Sequence, residues 1–279
     1  MPGDTMPAGA LSLSQGSSEE HERGGARNVA GGDPRRSLGL TAVLFQQSLS
    51  SMFTLDQVVP WGRSFDEYRR MFALTDKDLN RQIIGCGDGP ASFNAEATRR
   101  GARVVSCDPI YRFDKTEIQQ RMAATYDQVI DQTRRNAHEF VWEGGIRTVE
   151  ELGQARLAAM RLFLDDYDQG KASERYVEAE LPTLPFANAR FDLALCSHFL
   201  YLYSMQLGEA FHHAATAEMC RVAGEVRVFP LLALGGERSP FVDSCVRDLT
   251  DRGHHVSIET VPYEFQRGAN QMMRIRTRT

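Results

Sequence analysis

Hydrophobic and polar positions along the chain change their period several times, and each change marks an element. Residues 1–38 show no apolar period; they run through stretches such as MPGDTMPAGA and QGSSEEHERGGAR, rich in Gly, Ser, Pro and charge. Such a segment buries too little apolar surface to offset the entropy of ordering it, and it reads as a disordered tail. From residue 40 to 59 the pattern becomes amphipathic, and two helix starts follow. Ser64-Phe65-Asp66-Glu67 is a capping box, in which hydroxyl and carboxylate satisfy backbone N–H groups reciprocally, and it opens a helix to Phe72. Thr75-Asp76-Lys77-Asp78 opens another. Residues 39–80 therefore read as N-terminal helices.

A short apolar run over 82–85 predicts a strand, 91–100 a helix stopped by Gly101, and 103–107 a second strand. The stretch from Asp108 to the next strand candidate, 176–179, is much longer than the one helix and two loops that a doubly wound fold spends there. Its pattern is helical over 114–138, and Thr148-Val149-Glu150-Glu151 caps a further helix to about Tyr167. Residues 111–174 thus read as a helical insertion serving as a lid or a dimer surface. The alternation then resumes, with strands at 191–196, 225–231, 255–261 and 271–276 and helices at 205–221 and 239–251. The fold class that follows is α/β. It is a Rossmann-like, doubly wound, seven-stranded, mostly parallel sheet with an antiparallel last strand, in one domain over 39–279.

The first chemistry sits between the first strand and helix, in the loop Gly85-Cys86-Gly87-Asp88-Gly89-Pro90. Alternating glycines let the backbone turn tightly and approach a ligand where a Cβ would clash. Asp108 closes the second strand, where a carboxylate can accept hydrogen bonds from two ribose hydroxyls. A dinucleotide fingerprint needs a third glycine under the pyrophosphate, and Pro90 stands there. This disfavours an NAD-dependent oxidoreductase and suits a nucleoside ligand without phosphate.

From about residue 83 to its end the chain resembles the class I S-adenosylmethionine-dependent methyltransferases, through IIGCGDGP, VVSCDP, LPTLPF, FDLALCS and CRVAGEVRVFPL. The resemblance implies S-adenosyl-L-methionine as cofactor, with Gly85, Gly87 and Gly89 along its methionine and ribose part, beside Cys86 and Asp88. Asp108, followed by Pro109, would hold the ribose diol, Glu180 the adenine amino group, and Leu181 would flank the ring. The FDLALCS strand, ending at Ser197, is similar to the strand whose end faces the reacting methyl. Two departures stand out. Ile83 occupies the place of the family's usual acid before the glycines, which leaves the ammonium group to Asp88 or a backbone carbonyl. Val222-Ala223-Gly224 replaces the usual Pro-Gly-Gly turn.

Ligands of an open α/β sheet lie beyond the carboxyl ends of its strands, which selects the remaining candidates. His198, directly after Ser197, is the candidate base or acceptor-orienting group. Of Tyr201 and Tyr203 in FLYLYS one is expected to face the pocket, and Tyr201 is the candidate. The loop 263–270 concentrates Tyr263, Glu264, Arg267 and Asn270, which suits substrate recognition. Trp61, Arg63 and Tyr68 are placed to fold over the pocket. His212-His213 and His254-His255 are adjacent pairs whose side chains diverge, and no metal site is expected.

Composition narrows the setting. With 42% hydrophobic and 25% charged residues the chain is ordinary for a globular protein, and no apolar run is long enough to span a bilayer. A net charge of -5 argues against nucleic-acid or polyanionic partners, while a neutral or acidic small molecule can still meet a local cluster such as Arg63 with Arg267. Cys86, Cys107, Cys196, Cys220 and Cys245 are odd in number and form no CxxC pair, which fits a reducing cytoplasm. The expected protein is a monomeric or homodimeric methyltransferase acting on a small molecule. The alternative is a catalytically silent relative that binds the cofactor as a sensor or partner subunit.

Overall fold

In a computed structural model the described residues are 59–143 and 145–278. The predicted tail over 1–38 and the amphipathic stretch over 40–58 lie outside them. Both capping boxes form. Ser64 and Glu67 exchange side-chain-to-backbone hydrogen bonds at the start of α1 (Phe65–Met71), and Thr75 and Asp78 do so at α2 (Asp76–Leu79). β1 (Gln82–Cys86), α3 (Phe93–Arg99) and β2 (Arg103–Cys107) make the first βαβ unit. Gly101, at φ +88°, ends the helix as its position in the sequence requires.

Two helices of unlike role connect β2 to β3 (Tyr176–Val177). These are α4 (Lys115–Arg135) and α5 (Val149–Ala172). α5 packs on α3 and β3, and so is the crossover helix that any parallel β2–β3 pair needs; α4 packs on α5 and is the addition. α5 also runs five residues beyond the predicted Tyr167. Its last turn seats on β3, where Gly170 lies so close to the Tyr176 ring that a Cβ would collide with it.

β4 (Leu193–Ser197), α6 (Ser204–Val222), β5 (Glu225–Phe229), α7 (Val242–Asp251), β6 (His255–Thr260) and β7 (Gln271–Arg276) complete the element order. The strands lie in the order β3-β2-β1-β4-β5-β7-β6, and β7 alone is antiparallel to its neighbours, inserted between β5 and β6. Alternate residues feed two cores. Ile83, Val104, Leu193 and Leu195 pack with α1 and α3, whereas Ile84, Ala194, Cys196, Val226 and Val228 pack with α6 and α7. Strands covered on both faces read as continuous apolar runs, which is why FDLALC was legible. The order reverses between β1 and β4, and the loops leaving their carboxyl ends diverge there to leave a crevice.

Candidate functional site

The glycine loop leaves β1 at that crevice. Gly87 adopts φ +71°, donates its N–H to the Cys107 carbonyl at 2.9 Å, and lies against Phe199 so closely that a Cβ would press into the ring. The Asp88 carboxylate folds back over Gly85, accepting from the Tyr68 hydroxyl at 2.8 Å and the Ser106 hydroxyl at 2.6 Å. Asp108 joins the loops after β1 and β2. One of its oxygens accepts from the Gly89 N–H at 2.9 Å and the other from the Ile110 N–H at 2.8 Å.

Burial raises both carboxyls to about 6. Hydrogen bonds from Ser106 and Tyr68 partly offset it at Asp88 and those from Ile110 and Gly89 at Asp108, while Glu180 raises Asp108 further. A carboxyl raised above its unfolded value stabilises the fold below that value, and the contribution is lost as pH rises through about 6. Binding at an acceptor carboxylate has the opposite dependence. Affinity for a ribose diol is expected to fall by roughly tenfold between pH 7.5 and pH 5, measured by calorimetry with S-adenosylhomocysteine.

A cavity of about 660 Å³ opens over this loop. Gly87, Asp88, Gly89, Asp108, Pro109, Glu180 and Leu181 line one end, and Ser197 and His198 stand where β4 ends. His198 holds a left-handed backbone at φ +50°, donates its N–H to the Phe229 carbonyl at 2.7 Å, and places Nδ1 3.0 Å from the Ser197 hydroxyl. Burial, then the charges of Arg63 and Arg156, push its imidazole well below the ordinary range, so it is neutral at pH 7.

Trp61, Arg63 and Tyr68 line the same cavity. The other substrate candidates do not. Tyr201 points into the opposite core, its hydroxyl on the Met273 sulfur at 3.6 Å, because the turn after β4 presents Tyr203 to the cavity instead. Tyr263 is buried behind the wall, donating to Glu67 at 2.9 Å. Arg267 spends its guanidinium on the carbonyls of His138 and Phe140, and Asn270 donates to Glu264 within its own loop. Gly85 and Cys86 belong to the buried end of β1, out of reach of the cavity.

The residues that sequence reasoning missed form the far wall. Thr125 and Val129 come from α4, Leu207 and Phe211 from α6, and Phe265 from the loop before β7. Phe265 stacks on Phe140 at 5.1 Å, and its carbonyl accepts from the Val141 N–H at 2.7 Å, so the end of the α4 segment and the β6–β7 loop close one roof. The apolar stripe of α4 was legible as a helix face, but nothing local tells which space that face borders.

No family model matches the chain. An uncharacterized protein of Methanocaldococcus jannaschii, MJ0045, is 33% identical over 223 residues, which cover 80% of this chain and 97% of that protein. Among solved structures, a TehB-like S-adenosylmethionine-dependent methyltransferase from Corynebacterium glutamicum is 14% identical, with a TM-score of 0.38 over 88% of this chain and all of that one. Magnesium protoporphyrin IX methyltransferase from Synechocystis, solved with bound S-adenosylmethionine, is 12% identical, with a TM-score of 0.37 over 77% of this chain and 91% of that one. The identity to the archaeal protein over nearly its whole length places this chain in that protein's family, and the strand order, with β7 reversed between β5 and β6, is that of the class I methyltransferase fold.

Proposed function

We propose that the protein binds S-adenosyl-L-methionine at the β1–β4 crevice and transfers its methyl group to a small-molecule acceptor. The observation that carries this reading is Asp108, a cavity-facing carboxylate at the end of β2 bound to the glycine-loop N–H of Gly89. The residues present suit the cofactor: Gly87 and Gly89 would let the backbone approach it, Asp108 would accept from its diol, Glu180 and Leu181 would take the adenine, and Asp88 is the acid of the glycine loop that would face the ammonium group. When bound, the cofactor would supply a sulfonium methyl already activated for in-line displacement. The chain's own part is to align the acceptor, exclude water under the roof of α4 and Phe265, and take up a proton.

His198 and Ser197 line the cavity at the end of β4 and would receive that proton. A neutral imidazole accepts protons, and the left-handed backbone limits the informative substitutions, since Asn tolerates φ +50° better than Ala. His198→Asn is expected to leave S-adenosylhomocysteine affinity within about threefold and to lower turnover by roughly 100-fold. Single-turnover methyl transfer from labelled cofactor measures the second quantity; an unchanged rate would remove His198 from the chemistry.

A concave cavity with a largely apolar far wall favours a small acceptor over a nucleic acid. Five free cysteines, four of them buried, support a reducing compartment and hence the cytoplasm. Among the described residues no helix is long and apolar enough to cross a membrane. The test of the cofactor reading is equilibrium binding of S-adenosylmethionine against NADH, and binding of NADH alone would overturn it. One observation favours a silent cofactor-binding relative: Ile83 is fully buried in the core, so no acid stands at that position. Micromolar cofactor affinity with no transfer to any acceptor would select that reading.

A further inference from the structure

Beyond the cofactor end, the cavity borders a cation with no hydrogen-bonded counterion among the described residues. Arg63 lies between Trp61-Gly62 and the N-cap of α1, and its carbonyl accepts from the Ser92 N–H at 3.0 Å, which pins the backbone beside the glycine loop. Its Nε and Nη1 are buried and have no hydrogen-bond partner, and the residue lines the cavity. The carboxylates within reach are engaged. Glu67 accepts from both terminal guanidinium nitrogens of Arg156, at 2.6 and 2.7 Å, and from the Tyr263 hydroxyl and the Ser64 N–H. Asp88 is held by Tyr68 and Ser106.

Among the described residues two guanidinium groups therefore share the Glu67 carboxylate, which leaves one positive charge in excess where the Arg63 Nε and Nη1 are buried. Arginine does not escape by losing its proton, so this arrangement is costly until an anion arrives. One excess charge on a planar fork matches one carboxylate. Around it the wall is apolar, formed by Trp61, Val129, Phe199, Tyr203, Leu207 and Leu234. An anion on Arg63 would also offset one of the two arginine charges that, after burial, hold the His198 imidazole low.

We infer that the methyl acceptor is an organic carboxylate with an aromatic or branched apolar body, its carboxylate on Arg63 and its body against the Trp61–Tyr203 wall. This rests on the methyl-transfer reading of the same cavity. The other source of a carboxylate is the amino-acid end of the cofactor, and the experiment separates the two.

Binding of paired aryl and alkyl carboxylates and their primary amides, 2-naphthoate and 2-naphthamide among them, is measured by calorimetry on protein loaded with S-adenosylhomocysteine. The wild type is expected to prefer the carboxylates by about tenfold or more. Arg63→Gln is expected to abolish the preference, keep S-adenosylhomocysteine affinity within about threefold, and melt no lower than wild type, since it removes an unpaired buried charge. Arg63→Lys keeps the charge and should keep part of the preference. Equal affinity for acids and amides in the wild type, binding of neither at millimolar concentration, or a preference that survives Arg63→Gln overturns the inference. So does a loss of S-adenosylhomocysteine affinity in Arg63→Gln without loss of 5′-methylthioadenosine affinity, which assigns Arg63 to the cofactor's own carboxylate. If S-adenosylhomocysteine fails to bind the wild type, the methyl-transfer reading fails, and the panel on unloaded protein still decides whether Arg63 receives a carboxylate.

Discussion

Asp108→Ala is expected to weaken S-adenosylhomocysteine binding by about 100-fold or more and to lower the melting temperature as well. The first effect follows from two hydrogen bonds between a carboxylate and ribose hydroxyls, each contributing about 1.5–3 kcal/mol. From its position alone, a strand-end carboxylate facing a cleft would cost the fold little when removed. The hydrogen bonds say otherwise. Asp108 satisfies the Gly89 and Ile110 N–H groups, at 2.9 and 2.8 Å, and so shapes both loops that border the cavity. Leaving two part-buried donors unpaired costs up to about 1–3 kcal/mol each, offset in part by release of a desolvated carboxyl. Asp108→Asn separates the contributions, because an amide oxygen can still accept from Ile110 while its NH₂ cannot accept from Gly89. Calorimetric titration and thermal melting of the two variants check both statements; unchanged affinity in Asp108→Ala would remove the central support for the cofactor site.

Glu67→Gln is expected to be the most destabilising conservative change near the site, costing about 3–5 kcal/mol. Its partner Arg156 is fully buried, and the amide would leave Arg156 and Arg63 together without an anion. Thermal melting should register a drop on the order of 10 °C. Arg156, Arg63 and the Ser64 N–H hold the Glu67 carboxyl well below the usual carboxylate range against its burial. A depressed carboxyl stabilises the fold above its unfolded value, and the contribution is lost as pH falls toward the folded one; wild type should therefore lose stability progressively below about pH 4, and Glu67→Gln less steeply. Replacing the pair together, Glu67→Leu with Arg156→Met, should cost less than the single change, because one buried cation, Arg63, is then left without an anion rather than two. A double variant as unstable as Glu67→Gln would show that the loss lies in packing.

Much of the fold was legible because its signals are local. Ser64 with Glu67, and Thr75 with Asp78, reach each other across three residues, so those caps are properties of the sequence and form as read. Gly101 and the apolar runs of β1, β2 and β4 are likewise set by neighbours. The glycine loop and Asp108 are legible for a related reason: one βαβ unit brings the ends of its two strands together, and Gly85↔Ser106 and Cys86↔Cys107 are register partners. The length of α5 was not, since its last turns are held by Tyr176 rather than by any period of their own.

Side chains that share a buried space across the chain were out of reach. Arg156 meets Glu67 across 89 residues, and Arg227 in the middle of β5 finds Asp78 and the Phe72 carbonyl across 149 and 155. A buried arginine read alone contradicts a core strand; its partners are supplied only by the way α2 lies on the sheet. The choice between Tyr201 and Tyr203, two residues apart, depends on the path of the turn after β4, and Arg267 reads as a recognition residue until its carbonyl partners are seen. The sequence by itself determined the class of sheet, the caps, the glycine loop and the carboxylate at the end of β2, because each depends on residues within one turn or one strand-helix-strand unit. The tertiary structure alone decided which helix was the addition, which aromatic side chains wall the cavity and which arginine has no hydrogen-bonded counterion among the described residues, because partnership in a closed space depends on where distant segments cross.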